Sequence, residues 1–120
     1  MRSEWQTHKG KRFMYANCSN LGVDVDQLTA ELDAADAMIV QEPENSVLVL
    51  TDVRGLVGSN EAIAIFKVSA TRTQKYIRKS AVIGVGGAIR RLLVEAVSRF
   101  SGQPLVTFED LERAKDWLVE

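Results

Sequence analysis

The sequence has little of what dedicated chemical sites are usually built from. It holds one cysteine, Cys18, so no internal disulfide can form, and one histidine, His8. Without a second histidine or a cysteine pair there is no metal-ligand spacing. A Ser-His-Asp device would need His8 to reach a serine from an edge segment. No metal and no cofactor is therefore expected. No Gly-Lys-Ser/Thr follows a glycine-rich turn, which excludes a P-loop. Cations are not in excess: 15 Lys and Arg face 16 Asp and Glu, for a net charge of -1. A bulk electrostatic grip on nucleic acid is not expected from such a balance. No apolar run approaches the roughly 20 residues that span a bilayer. No charged-then-apolar leader opens the chain, so a cytoplasmic protein without a transmembrane segment is expected. Repeats and low-complexity tracts are absent, and only Pro43 and Pro104 interrupt the pattern.

What is present fits one globular α/β domain over residues 1–120. The chain is 46% hydrophobic and 26% charged, close to the globular average. "SEWQTHKG" and "KRFMYANCS" read as an N-terminal hairpin turning at Gly10. From Asp24 to about Gln41, Val25, Leu28, Leu32, Ala35 and Ile39 recur at helical spacing. Asp26, Glu31, Asp33 and Asp36 fall mostly on other faces, and Asp24 or Asp26 can cap the start. "SVLVLTDV" (46–53) is a run suited to a strand buried on both faces. Asn60 to Lys79 reads as a long amphipathic helix carrying Ile63, Phe66, Ala70 and Ile77 on one side. "AVIGV" (81–85) reads as a strand, Ala88 to Phe100 as a helix with an apolar stripe, "PLVTF" as a strand, and "EDLERAKDWLVE" as a last helix. Strands alternating with helices predict a four- to five-stranded, mostly parallel sheet with about four helices.

Ligands on such sheets bind beyond the carboxyl ends of the strands. Those ends are "NCSN", "TDVRG", "VGG" and "TFED". In "AVIGVGGAIRR", Gly84 and Gly86 match the first pair of a dinucleotide fingerprint, but Ile89 occupies the third position. The strand before it is also not the first of the unit. Two readings remain. Gly84 lets a helix pack closely on the strand, and Gly86 and Gly87 supply a tight strand-to-helix turn. Alternatively, the turn holds an anion with Gly86, Gly87, Arg90 and Arg91. Cys18 follows a strand, either as a partly exposed thiol or as a small buried residue. Asp52 closes an otherwise apolar strand, so it either caps the next turn or serves a partner. The basic residues Lys67, Arg72, Lys75, Arg78 and Lys79 oppose an acidic first helix. They form either a solvated face or a surface that steers an acidic partner or anionic lipid headgroups.

"LVLTDVRG", "RKSAVIGV" and the closing "TFEDLERAKDWLV" resemble the SpoIIAA-like proteins, a STAS/SEC14-like family of small bacterial α/β domains. The resemblance covers roughly residues 10–120. It implies helices packed on a four- or five-stranded sheet and no known enzyme activity. Anti-sigma factor antagonists of the STAS class act by protein contact, switched by phosphorylation of a serine in a D-S-S-G-like loop. The matching loop here is "DVRG", Asp52 to Gly55, with Val53 and Arg54 where the serine would stand. Thr51 and Ser59 are the nearest hydroxyls. Larger SEC14-type domains hold lipids in an apolar pocket enclosed by a helical portion that this chain lacks.

These observations predict a non-enzymatic regulatory or signalling module that binds a protein partner, without a serine phospho-switch. Its surface would be Asp52, Arg54, Gly55, Leu56, Gly58 and Ser59. Arg54 would offer a bidentate donor to an acidic partner, so that Arg54→Ala weakens binding without unfolding the protein. Leu56 and Val57, expected at the surface, would suit a homodimer. The alternative is a small lipid or anionic ligand, as in SEC14-like domains.

Overall fold

The structure is a computed structural model describing residues 2–84, 86 and 105–120. Its first elements form the expected hairpin. Strand β1 (Glu4–His8) turns through Lys9 and Gly10 into β2 (Lys11–Asn17), and the two pair antiparallel. Helix α1 (Val25–Ile39) leads to β3 (Val47–Asp52), and helix α2 (Asn60–Thr73) to β4 (Ile77–Ile83). Then come β5 (Leu105–Phe108) and helix α3 (Leu111–Val119). The sheet is mixed, in the order β1-β2-β3-β4-β5. After the antiparallel β1–β2 pairing, β2–β3, β3–β4 and β4–β5 are parallel.

Strand alternation sends side chains to two faces, and each face has its own apolar cover. Met14, Ala16, Val47 and Val49 meet Ala35 and Ile39 of α1, and Cys18, Val53 and Val82 join Leu28, Leu32 and Phe66 beneath α1 and α2. On the opposite face, Phe13, Leu48, Leu50, Ala81 and Ile83 pack against Ala114, Leu118 and Val119 of α3. A run such as "VLVL" must be apolar throughout because both of its faces are covered. Each fully buried leucine there contributes about 1.5–3 kcal/mol.

The helix starts are set by side-chain oxygens accepting otherwise unsatisfied N–H groups. Asp24 accepts from the Gln27 N–H, Ser59 from Ala62, and Asp110 from Glu112.

The predicted helix from Asn60 to Lys79 is too long. It ends at Thr73, and Ile77–Lys79 belong to a strand that begins four residues before the expected Ala81. Ile77 falls at helical spacing from Phe66 and Ala70, which hides the boundary. Pairing with β3 decides it: the Asn45 N–H donates to the Lys75 carbonyl and the Ser46 and Val47 N–H groups to that of Tyr76, at 2.9–3.0 Å. Three helices lie among the described residues. The fourth predicted helix, Ala88 to Phe100, lies outside them.

Two acids of α1 expected on its open faces are buried. Asp36 accepts from the Ser69 hydroxyl at 2.9 Å and from Arg72 at 2.7 Å, clamping α1 to α2, while Arg72 also holds Asp33 at 2.8 Å. Burial nevertheless pushes the Asp36 carboxyl above the usual range. Glu31 reaches the start of the chain. It accepts the Arg2 N–H at 2.9 Å, the Ser3 N–H at 3.2 Å and the Ser3 hydroxyl at 3.0 Å. Burial alone would raise its carboxyl, but these donors outweigh burial and hold it below the ordinary glutamate value. Glu31→Ala should cost about 1–3 kcal/mol in urea unfolding, since it strips the partner from three donors. It should also speed amide exchange at Arg2 and Ser3. Unchanged exchange there would sink the clasp.

Candidate functional site

The carboxyl ends of β2, β3 and β4 come together around Asp52, whose side chain is fully buried. Asp52 follows Leu50 on the α3 face of the sheet, two residues on, as strand periodicity requires. Its Oδ1 accepts the backbone N–H of Arg54 at 3.1 Å, which folds the chain into a turn. The Arg54 guanidinium lies back across the carboxylate, donating from Nε at 3.0 Å to Oδ1 and from Nη2 at 2.7 Å to Oδ2. Tyr15, on the same face of β2, donates its hydroxyl to Oδ2 at 2.6 Å. Burial acts to raise the Asp52 carboxyl, but Arg54 and Tyr15 outweigh it and hold Asp52 below the ordinary aspartate value. Burial and the Asp52 charge push the Tyr15 phenol up to about 12, so it is a hydrogen-bond donor at neutral pH. The neighbouring Asp52 raises the Arg54 guanidinium further above its already high value.

Beyond the strands, the two loops continue to pair. The Cys18 N–H donates to the Asp52 carbonyl at 2.9 Å, Asn20 to Arg54 at 2.6 Å, and Gly22 to Gly55 at 2.9 Å. The Val57 N–H returns a bond to the Gly22 carbonyl at 2.8 Å, and Gly22 forms an isolated parallel bridge with Leu56. Gly55 sits at φ +78 with its would-be Cβ 3.1 Å from the Asn20 Cα. A side chain there would be strained by the backbone and crowded by the opposite loop.

Sequence-predicted site residues are partly assembled by this arrangement. Asp52, Arg54 and Gly55 stand together. Ser59 lies at the end of the same loop, but its hydroxyl is engaged in capping α2. Leu56 was expected at the surface and is instead 3% exposed, packed in the core with Leu28, Leu32 and Phe66. The Gly22–Leu56 bridge turns it inward. Val57, next to it, is 47% exposed, and Val23 on the facing loop is 76% exposed. Of the expected anion turn, Gly86 is exposed, while Gly87, Arg90 and Arg91 lie outside the described residues. Cys18 is fully buried, and burial, with the nearby Glu31 charge adding to it, pushes its thiol up to about 12. Such a thiol is inert at neutral pH.

Tyr15 is the site residue that sequence reasoning missed. It meets Asp52 only through the β2–β3 register, in which Asn17 lies opposite Asp52. No local spacing between residues 15 and 52 carries that information.

Among solved structures, the chain is similar to an uncharacterized protein of the DUF3478 family from Shewanella loihica PV-4, whose structure is described as having a SpoIIAA-like fold. The TM-score is 0.65 at 23% identity, covering 97% of this chain and 91% of that one. The fold is SpoIIAA-like. No family model and no curated protein matches the sequence. The SpoIIAA-like likeness therefore concerns the course of the backbone. Among the described residues no helix is long and apolar enough to cross a membrane.

Proposed function

We propose that this SpoIIAA-like chain is a non-enzymatic protein-interaction module, working through the paired loops at the carboxyl end of the sheet. The observation that carries this reading is the exposure of Val23 and Val57 on loops tied to each other by backbone hydrogen bonds. A surface held in one conformation loses little entropy on binding. Apolar side chains exposed at such a place suit the core of a contact, and the half-exposed Arg54 suits its rim. The Arg54 fork is largely occupied by Asp52. Its role toward a partner would be to present charge at a fixed place rather than to offer a free bidentate clamp.

A serine phospho-switch is not part of this proposal. Val53 is buried at the position where such a serine would stand, and the Ser59 Oγ accepts from the Ala62 N–H at 3.1 Å.

The test pairs Val23→Glu with Val57→Glu in one variant. Both sites are exposed, so unfolding stability should change by no more than about 0.5 kcal/mol each. Crosslinking in extracts of the native host and sedimentation across concentrations would read a foreign partner and a homodimer, respectively. The variant should lose whichever complex the unaltered protein forms. Equal capture and equal self-association by the two proteins would overturn the assignment.

A small apolar ligand is the second reading, favoured by a hollow of about 90 Å³ between the sheet and helices α1 and α2. Leu32, Ile39, Val49, Phe66 and Val82 are among its walls. It is smaller than the roughly 150 Å³ cavity that admits benzene, so an acyl chain does not fit it as it stands. Native mass spectrometry of freshly purified protein would decide: a bound small molecule favours this reading, and a bare 13.3 kDa chain opposes it.

A further inference from the structure

The opposite end of the sheet carries a second, chemically different feature. There a polar hollow of about 230 Å³ opens between the first residues of β2, β3 and β4 and the end of α3. Leu48 and Leu118 contribute to its walls, together with Ser46, Lys11, Arg12, Arg78, Lys79 and Glu120. Four of these eight residues are cationic and one is acidic, in a chain whose net charge is -1. The excess is therefore a local arrangement and not a reflection of general basicity.

A β-bulge produces part of it. Val47 lies opposite Ile77, but Leu48 lies opposite Lys79, so Arg78 is an extra residue in β4. In a regular strand Arg78 and Lys79 would point to opposite faces. The bulge re-aims the strand there, and both residues line the same hollow.

The counter-charges are elsewhere. Arg12, although it lines the hollow, is already paired with Glu42 and stacked 4.0 Å from the Trp5 ring centroid. Lys79 is held in place without being neutralised: its Nζ donates to the Trp117 carbonyl at 2.9 Å and lies 4.5 Å from the centroid of that ring. The Lys11 and Arg78 side chains have no ion pair or side-chain hydrogen bond among the described residues. Three cationic residues without a carboxylate partner among the described residues, one of them pre-positioned, thus line one hollow in which Glu120 is the acidic residue.

We propose that this hollow binds a compact, multiply charged anion of the phosphate class, held by Lys11, Arg78 and Lys79. Arg78 supplies a planar fork and the two lysines supply point charges, the combination that suits a tetrahedral polyanion. The Ser46 hydroxyl is bound to the Pro43 carbonyl at 2.6 Å and keeps its lone pairs, so it adds no donor. The site stands at the amino end of the strands, away from the paired loops, and does not depend on the protein-contact reading.

Inorganic pyrophosphate, titrated calorimetrically into the full chain at fixed ionic strength, tests the site. Vesicles of phosphatidylcholine with and without phosphatidic acid separate a lipid headgroup from a free anion. Arg78→Glu should weaken binding at least about tenfold, the scale of one lost charge-assisted hydrogen bond. Lys67→Glu, on α2, should leave it within about twofold. Should Arg78→Glu fail to fold, Lys11→Gln takes its place with the same expectation. Binding of pyrophosphate supports a free phosphate ligand, and binding only to phosphatidic acid vesicles supports a headgroup. No binding to either, or equal loss in Lys67→Glu, overturns the proposal.

Discussion

Gly84→Ala should destabilise the protein by about 2–5 kcal/mol, the sum of a backbone and a packing cost. Gly84 follows β4 at φ +91, where an L side chain is strained. A Cβ built there would lie 2.5 Å from the Arg54 Cγ, 2.6 Å from the Arg54 N and 2.7 Å from the Arg54 Cα. Two of those three atoms are backbone and cannot swing aside. They belong to the turn that Asp52 organises, and that turn is further fixed by the Val53 N–H donating to the Ile83 carbonyl at 3.0 Å. The alanine variant must therefore push the Arg54 turn away from β4 and loosen the Asp52 cluster. Gly86→Ala is the matched control. Gly86 is exposed and nothing among the described residues lies within 4 Å of its would-be Cβ, so its replacement should change stability by less than about 0.5 kcal/mol. Urea unfolding of the two variants reads the contrast directly, and equal effects would refute the close-approach account of Gly84.

The close approach of Arg54 is also a reason for a glycine at position 84. In sequence, "GVGG" after an apolar run looks like the start of a phosphate cradle. In the fold, what comes close to its first glycine is the backbone of the Arg54 turn and not the expected helix, and that is a packing need. The sequence offered both options but could not choose, because the contact joins residues 54 and 84 through the pairing of β3 with β4.

The same distinction runs through the rest of the chain. The hairpin, α1, β3, β5 and α3 were legible because local periodicity and capping residues define them within a few positions. Asp52 was legible as a lone acid at the end of an apolar strand, and its turn with Arg54 spans only two residues. The end of α2 was not legible, since Ile77 fits the apolar face of a helix and also the inward face of a strand. Only hydrogen bonding to residues 45–47 separates them. Glu31 and Asp36 were misplaced for a related reason. Each lies beside the apolar stripe of α1, and burial of a carboxylate requires donors that come from Ser3, Ser69 and Arg72, far away in sequence. Leu56 looked exposed because loops generally lie at the surface. The bridge from Gly22 to Leu56, between segments 34 residues apart, makes this loop an extension of the sheet and gives Leu56 an inward side. Its neighbour Val57 is thereby left outward, which is how a single loop comes to serve both the core and the proposed contact surface.

Asp52 ties that surface to the core, and its removal is the second large effect. Asp52→Ala takes the acceptor from the Tyr15 hydroxyl, the Arg54 guanidinium and the Arg54 N–H together. The guanidinium is half exposed and can turn to water, which limits the loss. The phenol and the turn recover less, so about 2–4 kcal/mol is expected in urea unfolding. Arg54→Ala should be comparably destabilising, because it leaves Asp52 buried with one fewer partner. This departs from the expectation that Arg54 could be removed without affecting the fold. Because both substitutions break one interaction, the double variant should cost clearly less than the sum of the singles. Acid should expose the same linkage. The Asp52 carboxyl in the folded protein titrates below its unfolded value of about 3.9. Its contribution is therefore complete above that value and is lost as the pH falls through the lower, folded one. Glu31 and Asp116 are also held low and bend the wild-type curve in the same direction, so the informative quantity is a difference. Wild type minus Asp52→Asn should be largest near neutrality and shrink below about pH 4 as the wild-type carboxylate gains its proton. A difference that stays constant from pH 7 to pH 3 would show that the charge on Asp52 does not hold the loop, and that Arg54 stands where it does for another reason.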